Sequence, residues 1–169
     1  MDDIDTGPVL VGVDGSDSSI DALRHAARLA QALDAPLEAV TVWEYPAFAD
    51  YYAVVDWSPE ADAQATLESA IDQAFGGAPP TGLRRTVLRG PTARALIDAS
   101  RRAGMLVLGS RGHGGFAGLL LGSVSAACAA HARCPVLIVH GRHDDRDLGE
   151  PTTAIDTVDV GGLEESDQD

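Results

Sequence analysis

Apolar runs and amphipathic stretches take turns along this chain. Val9-Leu10-Val11-Gly12-Val13 is a continuous apolar run, the form a strand takes when helices cover both faces of its sheet. Ser16 or Asp17 then offers an N-cap, and Ile20, Leu23, Ala27, Ala30 and Leu33 recur at steps of three and four. That spacing predicts a helix with those residues on its inner face, ended by Pro36. Residues 37–43, with Ala39, Val40 and Val42, read as a second strand. Ser58-Pro59-Glu60 supplies a capping hydroxyl, a first-turn proline and an acid near the positive end of the helix dipole. The helix it opens carries Leu67, Ile71, Ala74 and Phe75 inward and closes at Gly76-Gly77.

The alternation continues. Residues 83–89 read as a third strand, and Gly90-Pro91 opens a third helix through Ala95, Leu96 and Ile97, with Arg101 and Arg102 at the negative end of its dipole. Residues 105–108 form a short fourth strand, Ser123 begins a fourth helix, and residues 135–140 form a fifth strand. The order βαβαβαβαβ predicts an α/β domain, one parallel sheet with helices on both faces. The domain spans residues 1–143. Residues 144–169 are acidic without sustained period and read as a solvated tail.

Charge narrows the function. The chain carries a formal −14, and residues 141–169 contribute ten acids against Arg142 and Arg146. Nucleic acid and anionic membrane surfaces are therefore poor partners, because binding them rests on basic groups that displace counterions. All 12 Lys+Arg residues are arginines. Without a lysine there is no Walker A loop, no kinase phosphate lysine and no Schiff-base nucleophile. A receiver-type phosphorelay domain falls for the same reason. Cys128 and Cys134 make no disulfide framework in a chain of this size and are expected reduced and packed. The first residues lack the features of a signal peptide, and no apolar run approaches the ~20 residues of a membrane helix. The expected compartment is the cytoplasm.

The chemistry concentrates in Gly109-Ser110-Arg111-Gly112-His113-Gly114-Gly115-Phe116-Ala117-Gly118-Leu119-Leu120-Leu121-Gly122-Ser123. It follows a strand and precedes a helix. Glycines there allow successive N–H groups to point inward, and the helix start adds unpaired donors with a partial positive charge. Ser123 and Ser125 can add hydroxyl donors, and Arg111 a formal charge that offsets the repulsion between an anion and an acidic chain.

Gly109, Gly112 and Gly122-Ser123 reproduce G-x2-G-x9-G-[S/T], and the chain thereby resembles the ATP-binding universal stress proteins. The resemblance extends to residues 9–16, 106–112 and 134–139 and covers roughly residues 7–141. It implies a doubly wound sheet of the adenine nucleotide alpha hydrolase-like type, in the order 3-2-1-4-5, with nucleotide at the switch between the first and fourth strands. It implies nucleotide contact at Gly12, contact from Asp14 to the adenosine end, and contact from the main chain of Val42 to the adenine edge. Phosphates would lie over Gly109, Arg111, Gly112, His113, Gly114, Gly122, Ser123, Val124 and Ser125. The implied ligand is ATP, or ADP, AMP or cyclic AMP, with or without Mg2+. The implied assembly is a homodimer through the fifth strand, Val136, Leu137, Ile138 and Val139; no protein partner is indicated. One departure is Gly104, where many relatives have an acid before the fourth strand; at the far strand end it is not expected to affect binding.

Other readings stay beside this one. Asp14 next to Gly15 also suits a turn. His25, His113, His131, His140 and His143 lack metal-ligand spacing. His131 falls on the Val124-Ala127-Cys128 face and reads as packed or interfacial, and His113 as a phosphate contact or a solvated loop residue. No nucleophile–base pair can be nominated, so catalysis finds no residues, although a slow ATPase or nucleotidyl-transfer enzyme, or an interaction module without nucleotide, would use the same frame. Residues 43–57 hold six aromatics, a flap over the sheet end or a nucleotide lid.

Overall fold

The computed structural model describes residues 7–45, 58–113 and 121–141. Its elements run β1 (Val9–Gly12), α1 (Asp17–Ala32), β2 (Leu37–Trp43), α2 (Pro59–Phe75), β3 (Arg84–Arg89), α3 (Thr92–Ala99), a 3-10 turn (Ser100–Arg102), β4 (Met105–Gly109), α4 (Ser123–His131) and β5 (Val136–Val139). The five strands form one parallel sheet in the order β3-β2-β1-β4-β5. Helices α1 and α2 cover one face, over a core that includes Val9, Val11, Leu23, Leu67, Ile71 and Val107. Helices α3 and α4 cover the other, over Leu10, Val40, Leu96, Leu106 and Cys128. Both sides of β1 and β4 are thus buried in apolar side chains, which is why their sequences are unbroken apolar runs.

Local chemistry sets the helix ends. Ser16 caps α1 by accepting from Ser19 N–H, and Ser58 caps α2 by accepting from Ala61 N–H, each at 3.3 Å. Gly76 ends α2 in the left-handed region, φ 60°. The inner face of α1 holds Ile20, Leu23 and Ala30 as expected and adds Ala22 and Ala26. Ala27 is half-buried, and of the expected residues only Leu33, the C-cap, is exposed. In the first turn Ser18 and Ser19 are buried as well, Ser18 against Gly109 at the end of β4. His131 is exposed, not packed in the core. Cys128 is buried, Cys134 half-buried, and both are free thiols; burial pushes Cys128 up to about 11, with the neighbouring Cys134 adding to it, which makes it inert as a nucleophile.

At the amino end of the sheet, β2 carries a carboxylate inside. Glu38 is 2% exposed and accepts from Arg102 through both oxygens, at 2.8 and 2.7 Å, and from Thr86 Oγ1 at 2.7 Å. Arg102 therefore turns onto β2 instead of capping α3. The Arg102 hydrogen bonds, reinforced by Thr86 and Arg84, outweigh burial and hold Glu38 below its ordinary value. A depressed carboxylate stabilises the fold fully above its unfolded value of 4.5 and loses that contribution as pH falls through the lower folded value. Glu38→Gln is expected to cost about 1–3 kcal/mol at neutral pH and to flatten the acid limb of Tm against pH, measured by thermal melts between about pH 3 and 6. An unchanged acid limb would remove Glu38 from this role.

The departure at Gly104 has a structural partner. A Cβ on Gly104 would stand 2.5 Å from Gly7 O, and one on Gly7 2.5 Å from Arg102 O. The two backbones touch, and Gly104 N–H donates to Pro8 O at 3.0 Å. A side chain at 104 would drive apart the segments leading into β1 and β4.

Candidate functional site

Strands β1 and β4 lie side by side, but the chain leaves β1 for a helix on one face and β4 for a helix on the other. A crevice must open between their carboxyl ends. The cleft there has a volume of about 590 Å³. Gly12, Asp14, Val42, Gly109, Arg111, Gly112, His113, Gly122, Ser123, Val124 and Ser125 all line it; Gly114 lies outside the described residues.

Hydrogen bonds from several elements fix the walls. Ser110 N–H donates to Val139 O and Ser110 O accepts from Gly122 N–H, both at 2.7 Å, tying the start of the loop to β5 and to the entry of α4. Ser18 Oγ donates to Arg111 O. Asp14 Oδ1 accepts from Ser16 N–H at 3.0 Å and from Ser16 Oγ at 2.5 Å, and Oδ2 accepts from His113 N–H at 3.3 Å. Burial pushes the Asp14 carboxyl up, but the Ser16, Ser19 and His113 hydrogen bonds outweigh it, so it sits below the usual value and is a carboxylate at neutral pH. Asp14 is thus a clamp between the end of β1 and the glycine-rich loop as well as a lining group.

The glycines divide by what surrounds them. A Cβ on Gly109 would meet Ser18 Oγ at 2.5 Å and its carbonyl carbon at 2.7 Å. On Gly112 it would fall on the Asp14 carboxylate, and on Gly12 against Leu108 at 2.5 Å. Only at Gly109 is the obstacle backbone; at Gly12 and Gly112 it is the end of a side chain, Leu108 and Asp14, that a Cβ would have to displace. At Gly122 the nearest atoms are 3.6 Å away, ordinary contact, and φ is −70°, open to any residue. Nothing in the described fold requires glycine at that point.

Helix α4 starts without a side-chain cap. Its first amide with a helical acceptor is that of Ala126, which donates to Gly122 O at 2.9 Å. Among the described residues the amides of Ser123, Val124 and Ser125 have no acceptor, and all three residues line the cleft. The Ser125 hydroxyl is not a spare donor, contrary to expectation, because it donates to Gly109 O at 2.7 Å and anchors α4 to β4. Arg111 lines the same end and forms no ion pair among the described residues.

Across the cleft, pairing of β1 with β2 ends at Gly12 opposite Val40, with one further bond from Val13 N–H to Val40 O at 2.8 Å. Val42 has the same parity as Val40, so its main chain faces a neighbour that has already ended. Thr66 and Ala63 of α2 and Thr92 and Leu96 of α3 also line it. Sequence reading missed them, since helices reach the crevice only through packing and no local pattern marks such residues. Of the aromatic segment, Trp43 and Tyr45 are described; they meet edge to face with centroids 5.1 Å apart, and Arg89 lies over both rings. Neither lines the cleft, and residues 46–57 lie outside the described part.

The model of the universal stress protein family matches residues 6–140. This chain belongs to the universal stress protein family. It is 37% identical over 150 residues to a universal stress protein of Mycolicibacterium smegmatis, covering 82% of this chain and 51% of that one. It is 36% identical over 135 residues to universal stress protein Rv2623 of Mycobacterium tuberculosis, covering 78% and 44%. This universal stress protein chain therefore spans about half the length of the curated relatives it matches. Among solved structures, a universal stress protein in complex with cAMP is 31% identical, with TM-score 0.60 over 80% of this chain and 98% of that one. The universal stress protein UspA from Lactobacillus plantarum, 22% identical with TM-score 0.66 over 79% and 97%, shares the fold. No helix among the described residues is long and apolar enough to cross a membrane.

Proposed function

We propose that this universal stress protein chain binds an adenine nucleotide, ATP foremost, and acts as a nucleotide-dependent regulator. The observation that carries the reading is the set of acceptor-free amides at the start of α4, beside a glycine that the described fold does not require. Such a helix start favours an anion. The Asp14 carboxylate repels phosphate and accepts from hydroxyl or amino donors, so the nucleotide lies with its adenosine end toward β1 and β2 and its phosphates over α4 and Arg111. The cleft volume suits one nucleotide. A solved relative in complex with cAMP supports the ligand class. Among the described residues no three metal-ligating side chains cluster, so Mg2+ would arrive on the triphosphate, with Asp14 the one carboxylate lining the cleft. Calorimetric titration of the purified full chain with ATP, beside an assay of phosphate release, tests the proposal. Stoichiometric binding with negligible turnover supports it; sustained turnover favours the enzyme alternative, and no binding of any adenine nucleotide overturns it.

The chain also forms a homodimer through β5 in this reading. Strand β5 is a sheet edge whose Leu137 is exposed, an open pairing surface. Ile138 packs against the α3–α4 core, so a charge there would disturb the monomer too. Leu137→Lys is the cleaner test: light scattering on the eluted protein should give the monomer mass where the parent gives the dimer. A dimer that persists in the variant removes β5 as the interface.

A further inference from the structure

Charge in this protein is sorted in space. Residues 84–133 hold eight arginines against one acid, Asp98, a formal +7 within a chain of −14. Of these, Arg84, Arg85 and Arg89 lie on β3, Arg111 lines the cleft and Arg102 is bound to Glu38. On the α3–α4 side there remain Arg94 of α3, Arg101 of the 3-10 turn and Arg133 after α4, and α4 contains no acid. Arg94 and Arg101 share the single Asp98, at 4.0 and 3.8 Å, and remain 82% and 61% exposed. Arg133 is exposed and without an ion pair among the described residues, and its amide, donating to Ser100 Oγ at 2.8 Å, holds it beside the 3-10 turn. The opposite layer has the reverse sign: α2 carries Glu60, Asp62, Glu68 and Asp72 and no basic residue. An acidic protein has kept one face basic.

The chain contains its own complement to that face. Residues 142–169 hold ten acids against two arginines, a formal −8. They follow β5, the edge strand next to β4 on which α4 packs, and the last described residue is Gly141. A chain of 28 residues can reach roughly 90 Å when extended, far more than the span of one small domain. We propose that the basic α3–α4 face is the docking surface for the chain's own acidic segment 144–169. Each exposed ion pair is weak and screened by salt. Tethering supplies an effective concentration on the order of millimolar, and several pairs act together. Occupation by its own tail would cover Arg94, Arg101 and Arg133 against nucleic acid or other polyanions. This inference stands apart from the nucleotide reading.

The absence of lysine makes a direct test available. Arg133→Lys or Arg94→Lys keeps the charge and introduces a unique side-chain amine, which a zero-length carbodiimide joins to any carboxylate in contact. Arg28→Lys, exposed on α1, is the control. Full-length protein, mixed from 15N-labelled and unlabelled batches, is cross-linked and mapped by mass spectrometry. The expected result is links within one chain from Lys at 133 or 94 to acids of 144–169, at least about fivefold more abundant than from Lys at 28, and lost in molar salt. Equal yields from all three positions, or links mainly between chains to the acids of α2, would overturn the proposal, the latter in favour of a second copy as the occupant.

Discussion

A valine at Gly122 is expected to leave the fold intact and to abolish nucleotide binding. The backbone there is extended, and a Cβ meets nothing nearer than 3.6 Å, so the protein accommodates the side chain. The cost to stability is that of a poorer N-cap, about 1 kcal/mol or less. The added methyls stand before the acceptor-free amides of α4. Losing two charge-assisted hydrogen bonds at about 1.5–3 kcal/mol each weakens binding at least a hundredfold. Calorimetry with ATP and a thermal melt on the same preparation separate the two effects. Retained affinity would mean that the phosphates lie elsewhere.

Alanine at Gly109, in the same motif, is expected to do the opposite. Its Cβ would press on the backbone of Ser18 at 2.7–2.9 Å, and backbone cannot rotate away as a side chain can. Helix α1 would have to lift from the end of β4, stretching the Ser18 and Ser16 hydrogen bonds to Arg111 O. Overpacking of this kind costs about 1–3 kcal/mol, a fall in Tm of roughly 2–12 °C for a chain of this length. Differential scanning calorimetry reads it directly. An unchanged Tm would show that α1 does not press on β4 at this point. The pair of variants thus assigns one motif to two jobs.

That division was not legible in the motif. Gly109, Gly112 and Gly122 look alike in sequence, and all were expected to bare amides for phosphate. Spacing shows where a chain turns; only the neighbour across the fold shows why a side chain is missing. The same holds for Ser125, whose hydroxyl is taken by Gly109 O, and for Arg102, which finds Glu38 64 residues away in sequence. Leu33 followed the helical period yet lies exposed, because α1 ends at Ala32 and Leu33 is its C-cap.

By itself the sequence determined the alternation of strands and helices, the N-cap of α2 at Ser58 and its end at Gly76, and narrowed the N-cap of α1 to Ser16 or Asp17, because these depend on neighbours within a turn. The resemblance carried by the motif supplied the strand order and pointed to the crevice. Tertiary structure alone decided which glycines serve packing, which amides stay unpaired, which helices wall the cleft, and that Arg133 lies beside the turn that carries Arg101. Those outcomes depend on contacts between residues far apart along the chain, and such contacts leave no periodic mark on it.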